Sequence, residues 1–370
     1  MTKIEWTQRL GTKGETWNPI RARNKATGGI GHFCTKVSAG CQNCYAADFQ
    51  KRFKNPVRYA AQDADKVELF LDEKALLKPL HWKKPRTIFV CSMTDLFFEG
   101  HDDEWIDSVL AVAALCPQHT FIILTKRIKT ACQYMTSIDN GNGERIDLSR
   151  DPMIEGAAQR IYHDRTGEDP SVWLAVHLPL PNVWIGTSIE DQATANERIP
   201  VLLETPATVR FVSAEPLLGP VDLESLDDGY HDAVRLIIDC LTDTALDAYD
   251  SIGGIFGAKL DWVICGGESG HNARPMNQDW ARSLRDQCKA AGTPFFFKQW
   301  GAWAPGMSDD TGFVSHSGRY TSDGTDLLDR LDLAKAYETT AKVGKKRAGR
   351  LLDGREHNEW PTNNQLRVAS

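Results

Sequence analysis

The chain has 370 residues, 41% of them apolar, and carries 43 Lys and Arg against 50 Asp and Glu, for a net charge of −7. Its 25% charged and 9% aromatic residues are typical of a globular protein and exclude a fibrous fold, and the acidic balance excludes a protein that coats DNA by neutralising many phosphates. No apolar run reaches the roughly 18–20 residues that span a bilayer, and the first residues lack the apolar stretch of a signal peptide. We therefore expect a cytoplasmic protein without a membrane partner.

The predicted elements alternate along the chain. Residues 44–53 have a helical pattern, and six later runs are almost continuously apolar, as in strands that are buried on both faces of a parallel sheet. These runs are residues 87–91, 120–125, 183–187, 209–213, 261–265 and 294–298, with helical patterns between them at 103–115, 191–203 and 278–291. One more strand is expected near the N-terminus. Repeated strand–helix–strand units predict an α/β protein with a full or partial (β/α) TIM-like barrel of parallel strands.

Two stretches interrupt this alternation. Residues 133–182 include a run rich in Gly and Asn, and residues 224–260 are acidic and rich in Gly, so both are predicted to be loop insertions. From residue 302 onward the composition changes to Gly, Ser and Asp and then to basic residues. We therefore expect a barrel over residues 1–301 and a C-terminal extension over residues 302–370.

The nine cysteines do not predict a disulfide framework in a cytoplasmic chain. Five of them stand singly within or beside apolar runs and are expected to be small buried side chains: Cys91, Cys116, Cys240, Cys265 and Cys288. Cys132 is also isolated. Cys34, Cys41 and Cys44 differ, because they form a C-x6-C-x2-C cluster among polar residues, with a glycine that allows a sharp turn. Three thiolates so close in sequence can bind one metal centre.

The residues leave three explanations of the cysteine cluster open. A structural zinc site normally has four nitrogen or sulfur ligands, and His32 could be the fourth. A [4Fe–4S] cluster held by three cysteines leaves one iron open for a ligand. The third explanation is a coincidence of buried thiols. The alternating strands and polar strand ends that follow the cluster favour iron and sulfur.

Polar side chains follow the apolar runs. In a parallel barrel the carboxyl ends of the strands form the rim where ligands bind, so these residues as a set predict a polar cavity, although each alone could be a helix N-cap. They include Ser92, Asp95, Lys126, Ser188, Glu215, Glu268 and Lys298. Trp262, Trp300 and Trp303 lie near strand ends and could stack on a base, but core positions are the simpler interpretation.

The cysteine cluster resembles that of radical S-adenosylmethionine (SAM) enzymes, whose three-cysteine loop follows the first strand of a partial or full TIM-like barrel. Cys44-Tyr45 and Thr94-Asp95 are similar to the spore photoproduct lyase-like branch. The chain resembles a phage- and prophage-associated, radical-SAM-like family more closely still. The residues that carry this resemblance are 17–19, 34–46, 213–217 and 265–269. The resemblance covers about residues 1–305. The usual spacing is C-x3-C-x2-C, so the six-residue gap is a departure that keeps the zinc alternative open.

The resemblance implies that Cys34, Cys41 and Cys44 ligate a [4Fe–4S] cluster whose open iron binds SAM. An electron from an external donor would cleave SAM and produce a 5′-deoxyadenosyl radical, which removes a substrate hydrogen. The expected contacts to SAM or substrate are Tyr45 near the adenine, Ser92 and Asp95 at the amino group or ribose, Lys126 at a carboxylate, and Ser188 and Glu215 at the ribose or substrate.

The implied phage context favours a modified DNA base or nucleotide as substrate, for example in thymidine hypermodification by isomerisation of an amino-acid adduct on the thymine methyl carbon. Photoproduct-lyase-like repair and a non-enzymatic, zinc-stabilised phage binding protein are the alternatives. If DNA binds, Lys126, Arg127 and Lys129 follow a strand and are expected beside the pocket mouth. Lys83 and Lys84 precede a strand and are expected at the opposite end.

Overall fold

The computed structural model describes residues 4–52, 57–139, 144–169, 175–231, 234–246, 251–253, 257–309, 312–315 and 337–362. The strands are β1 (Lys13–Trp17), β2 (Ile20–Asn24), β3 (Ile30–Gly31), β4 (Val67–Leu71), β5 (Arg86–Val90), β6 (Thr120–Thr125), β7 (Ile138–Asp139), β8 (Arg145–Ile146), β9 (Val183–Ile189), β10 (Val209–Ala214), β11 (Leu226–His231), β12 (Val234–Asp239), β13 (Thr244–Leu246), β14 (Ser251–Gly253), β15 (Trp262–Gly266), β16 (Phe295–Gln299), β17 (Trp303–Asp309), β18 (Gly312–Ser315) and β19 (Tyr337–Lys342). The α-helices are α1 (Tyr45–Arg52), α2 (Glu73–Leu76), α3 (Asp103–Ala114), α4 (Ile128–Thr136), α5 (Asp151–Thr166), α6 (Gln192–Glu204), α7 (Gln278–Ala291) and α8 (Lys345–Ala348). None of these helices is long and apolar enough to cross a membrane.

Seven strands form one all-parallel sheet in the order β1-β5-β6-β9-β10-β15-β16. Because neighbours in this sheet follow one another along the chain, every crossover proceeds in the same direction, which is how a parallel barrel is wound. The sheet curls so that one short helix, Glu5–Thr7, contacts both edge strands, β1 and β16. The predicted α/β class is confirmed and the sheet is a curled half-barrel. No pairing joins β1 to β16 in the described residues, and a full TIM barrel is not confirmed.

The six predicted strands all occur within two residues of their expected bounds, and β1 is the additional strand expected near the N-terminus. The helical patterns correspond to α1, α3, α6 and α7. Local signals set the helix ends: Asp191 forms a capping box with Thr194 at the start of α6, and Gly292, with φ of +69°, ends α7.

Two apolar layers stabilise the half-barrel. The outer face of the sheet packs under the helices. The inner face carries a cluster without α-helical residues, in which aromatic side chains predominate: Trp6, Phe89, Trp184, Phe211, Trp262 and Phe296. Trp262 and Trp300 are only 0% and 3% exposed, so the core interpretation of these two residues is right and neither can stack on a base.

The stretches that interrupt the alternation have structure of their own. Residues 133–182 include the β7–β8 hairpin and α5, which packs on α3. Residues 224–260 include the antiparallel sheet β11–β14. After the antiparallel sheet of β17, β18 and β19, the chain returns to the half-barrel, where Asn358 bridges Phe296 and Trp360 stacks on Trp262 at a ring distance of 4.7 Å.

Replacing Trp360 with alanine is expected to lower the free energy of unfolding by about 2 kcal/mol, because the change removes a stacked aromatic pair and exposes part of the inner face. Urea unfolding measures this loss. Leu10→Ala is the control, since Leu10 is 99% exposed. Equal stability of the two variants would contradict the role of residues 349–360 in covering the inner face.

Candidate functional site

The cysteine loop, residues 34–44, lies against the carboxyl ends of the parallel strands. It follows β3, contains the short helix Ala39–Cys41 and ends where α1 begins. Near its first residue, the Thr94 hydroxyl donates to the carbonyl of Phe33 at 2.6 Å, and just after its last residue the Tyr45 hydroxyl donates to the carbonyl of Ser92. Both ends of the loop are therefore fixed to the segment that follows β5.

Arg127, just after β6, holds the first part of the loop. Its Nη1 lies 3.6 Å from Cys34 Sγ, and its Nη2 donates to the backbone carbonyl and hydroxyl of Thr35 at 3.1 and 2.8 Å. The guanidinium also pairs with Asp95 and Glu99, and the side chain is only 4% exposed. Arg127 thus lies beside the site, as expected, but as an internal residue whose guanidinium is already paired; a contact of Arg127 to DNA stays a prediction.

Asp95 connects the ends of β5 and β6. One carboxylate oxygen accepts from the Thr125 hydroxyl at 2.7 Å and from the Phe97 N–H at 3.1 Å. The other accepts from the Lys126 N–H at 3.0 Å and from Arg127 at 3.4 Å. The predicted contact of Asp95 to SAM stays a prediction, and the protein itself already supplies hydrogen-bond donors to both oxygens of this carboxylate.

Glu190, just after β9, supports the middle of the loop. It is fully buried and accepts from the Ser38 hydroxyl at 2.7 Å, from Lys126 Nζ at 2.8 Å and from Arg198 at 3.2 Å. Burial alone would raise the pKa of Glu190, but Lys126 and Arg198 hold it below its ordinary value. Lys126, a predicted site residue, is therefore committed to this carboxylate.

Glu268, after β15, supports the last part of the loop. Arg274 forms a two-point pair with its carboxylate at 2.9 and 2.6 Å, and Asn43 donates to it at 3.0 Å. Arg274 also donates to the carbonyl of Ala39 at 2.9 Å. The pKa of Glu268 is lowered, because these hydrogen bonds outweigh the effect of burial.

Glu215, after β10, forms a pair with Lys298 of β16 in which Nζ lies 2.8 and 2.7 Å from the two carboxylate oxygens. Gln299 also donates to Glu215, at 3.2 Å. The pKa of the Tyr45 hydroxyl is raised, chiefly by burial and further by the nearby Cys44 and Glu215. The Tyr45 residue is nevertheless 48% exposed, so part of its surface is accessible beside the cysteine loop.

The two predicted serines lie on the same rim and are buried. Ser92 Oγ is within 3.2 and 3.3 Å of the Asn18 side-chain amide, which also accepts from the Met93 N–H. Ser188 lies in β9, where its backbone carbonyl accepts from Arg198 at 2.7 Å. The structure therefore brings all six predicted contact residues to one end of the half-barrel, while their roles stay predictions.

The three cysteines of the loop are partly exposed, whereas the five isolated cysteines predicted to be core residues are buried. The pKa of Cys34 is raised to about 12, chiefly by burial. Asp95 and the other two loop cysteines also raise this pKa, whereas Arg127 lowers it. Burial also raises the pKa of Cys44, although the N–H groups of Ala47 and Ala46 at the start of α1 favour its thiolate. The three thiols thus lie close enough to influence one another.

The chemistry of this donor set fits a thiophilic metal centre, because the loop supplies three accessible sulfurs and no other cluster of thiols is nearby. Within the described ranges, however, no three His, Cys, Asp or Glu side chains surround one point as metal ligands would. His32, the fourth ligand of the zinc alternative, places Nδ1 3.2 Å from the carbonyl of Ile20.

A cleft of about 750 Å³ opens beside the loop. The loop itself, the start of α1, the segment 57–62 and the segment 269–272 form its walls, and Cys44 is among the lining residues. Lys36, Arg58 and His271 supply basic groups to these walls, and Asp48 supplies an acidic one. The cleft is therefore polar and lies directly against the cysteine loop.

Sequence reasoning missed the partners that hold the loop. The position of Glu190 and Arg127 at the rim follows from the predicted strands that precede them, but their pairing with loop residues has no sequence signal. Asn18 directly follows β1, so it reaches the rim as the other strand-end residues do. Arg274 lies eight residues beyond the end of β15 and is brought to the rim only by the fold.

A family model described as "Protein of unknown function (DUF5131)" matches residues 1–361. The chain belongs to this family. Comparisons with curated proteins and with solved structures gave no match. The DUF5131 match spans the half-barrel, the cysteine loop and the strands after residue 302.

Acid is expected to destabilise this DUF5131 protein. Glu190 and Glu268 have pKa values below the ordinary 4.5 in the folded state, so the unfolded state binds protons first as the pH falls. Their contribution is complete above about pH 4.5 and is lost as the pH falls through the lower folded values. Urea unfolding between neutral pH and about pH 3 measures the slope. Glu190→Gln is expected to flatten that slope, and an unchanged slope in this variant would contradict the ion pairs.

Proposed function

We propose that the protein is a radical SAM enzyme, in which Cys34, Cys41 and Cys44 hold a [4Fe–4S] cluster and SAM binds between the cysteine loop and the strand ends. One observation carries the proposal: a loop with three partly exposed cysteines is bonded across the carboxyl-end rim of a parallel half-barrel. Ligands of parallel α/β proteins bind at this rim.

The residues present fit such a cluster in their chemistry. The loop carries three thiols and no spare cysteine, which leaves a coordination position for SAM. Metal binding is coupled to local folding, so the three thiols need not surround one point before the metal binds. Binding also releases the thiol protons. The raised pKa of Cys34 and Cys44 means that this release has to be driven by the metal.

When bound, the cluster supplies the electron that cleaves SAM and starts radical chemistry. The chain's own residues position and enclose the reactants. Arg127 places a positive charge and an N–H donor against Cys34, which offsets the negative charge of the thiolate. Tyr45 offers a partly exposed side chain next to the loop, and the Glu215–Lys298 pair offers a carboxylate and an ammonium group at the ends of β10 and β16. These groups can bind the polar parts of SAM or substrate.

For the substrate we propose a modified base in DNA or a nucleotide, as the sequence resemblance implies. The cleft beside Cys44 supports a phosphate-bearing substrate, because Lys36, Arg58 and His271 line it. These exposed groups join Lys129 as the proposed contacts, whereas the Arg127 side chain is only 4% exposed. Arg58 and Lys129 each pair with an acidic side chain, Asp63 and Glu197 respectively.

The test is anaerobic reconstitution with iron and sulfide, followed by reduction in the presence of SAM. A brown protein with absorbance near about 400 nm that releases 5′-deoxyadenosine and methionine would support the proposal. The release is expected to be slow without substrate and faster with modified phage DNA. A colourless, zinc-containing protein that never forms 5′-deoxyadenosine would support the zinc-stabilised binding protein instead.

A further inference from the structure

The six residues between Cys34 and Cys41 are the feature in which this loop departs from the usual radical SAM spacing. A longer loop loses more conformational entropy when its ends are fixed around one centre. In the structure this spacer is bonded to three different places on the rim. Arg127 holds Thr35, Glu190 holds Ser38, and Arg274 holds the carbonyl of Ala39.

Glu190 is the middle of these three supports and the most enclosed one. Lys126 and Arg198 hold its carboxylate from the side of the sheet, so the position of the carboxylate does not depend on the loop alone. A Cβ at Gly40 would lie 2.3 Å from Glu190 Oε1 and 2.7 Å from its Cγ. The loop backbone therefore rests directly on the carboxylate, and only glycine allows this approach.

Cys41 is the loop cysteine nearest in sequence to the contact between Gly40 and Glu190. It follows Gly40 directly, and its Sγ lies 3.9 Å from the hydroxyl of Ser38, the group that donates to Glu190. Cys34 has Arg127 beside it, and Cys44 is fixed by the start of α1. The Cys41 thiol itself contacts Ser38. Its neighbours Ala39 and Gln42 are held by Arg274 and Lys36, so Glu190 acts on Cys41 from the side of Ser38 and Gly40.

We propose that Glu190 is a positioning residue that holds the six-residue spacer, through Ser38 and Gly40, so that Cys41 can act as a ligand together with Cys34 and Cys44. What the cysteines bind rests on the proposed function. The support itself belongs to the metal-free protein, because all of its contacts are between residues of this chain.

The test compares thiol reactivity in the metal-free, full-length protein. Ser38→Ala removes the hydrogen bond to the loop and leaves Glu190 with Lys126 and Arg198, so the fold is retained. Gly40→Ala pushes the loop from the carboxylate. Both variants are expected to increase the labelling rate of Cys41 by about tenfold, measured by mass spectrometry of the labelled peptides, because the spacer opens locally more often. Ser38→Thr keeps the hydroxyl and is expected to restore the wild-type rate.

Gly156→Ala is the matched control, since the nearest atom to its added methyl group is Arg160 Nη1 at 3.6 Å and Gly156 lies inside α5. Unchanged Cys41 labelling in both loop variants would overturn the proposal. Iron reconstitution of the same proteins gives the second readout, with a lower iron content expected in Ser38→Ala and recovery in Ser38→Thr. If labelling changes as expected while the wild-type protein binds no iron, the positioning role stands and the proposed function fails.

Discussion

Alanine at position 34, 41 or 44 is expected to abolish cluster binding in anaerobically reconstituted protein. The wild-type protein is expected to hold about four irons per chain, because three thiolates ligate three of them. No other cysteine is expected to take the place of one of these three. Five of the others are buried, and Cys132 lies within α4, outside the loop. Iron and sulfide content per chain, with the absorption spectrum, measures the loss.

Cys288→Ala and Cys132→Ala are the controls for this result. Cys288 is 0% exposed inside α7 and does not belong to the cysteine loop, so its replacement is expected to leave the iron content unchanged. A full iron content in Cys41→Ala would remove that residue from the ligand set. Loss of iron in the controls as well as in the loop variants would indicate general destabilisation.

The parallel sheet could be predicted because its strands are buried on both faces. Runs such as 120–125 and 261–265 are apolar at nearly every position, which is typical of a short strand covered on both faces. The helices between the strands indicated crossover connections, which run in one direction from each parallel strand to the next. The open edge between β1 and β16 had no such signal, because closure depends on how the short helix Glu5–Thr7 and the chain's last described segment fill the space between them.

Elements inside the insertions were harder to predict for a physical reason. Helix α5 buries only Ile154, Ala157 and Ala158, so its apolar stripe is too short to stand out in the sequence. The strands β11–β14 pair with one another in an antiparallel sheet outside the main one, and they follow Gly and Asp residues that favour turns.

The rim residues could be predicted because parallel strands end at a common edge. Their pairing could not, because it depends on which side chains the fold brings together. Lys126, Arg127 and Lys129 form one basic cluster in the sequence, yet they have three different environments. Lys126 pairs with buried Glu190, Arg127 is enclosed against Cys34, and Lys129 is exposed beside Glu197. Composition alone does not distinguish a surface charge from a buried, paired one.

Replacing Arg127 with leucine is expected to lower the free energy of unfolding by about 3–5 kcal/mol, because it leaves the buried carboxylate of Asp95 without its charged partner. The same change removes both donors to Thr35 and the N–H against Cys34, so the first part of the cysteine loop is also expected to loosen. Urea unfolding measures the first effect, and iron content after reconstitution measures the second.

Lys129→Leu is the matched control, since the Lys129 side chain is 66% exposed and its pair with Glu197 is expected to contribute at most about 1 kcal/mol. Adding Asp95→Asn to Arg127→Leu removes the unpaired charge and is expected to recover part of the stability. The iron content is not expected to recover in that double variant, because Thr35 and Cys34 still lack their donor. Recovery of both together would mean that Arg127 acts on the fold alone, and a loss no larger than that of Lys129→Leu would contradict the buried pair itself.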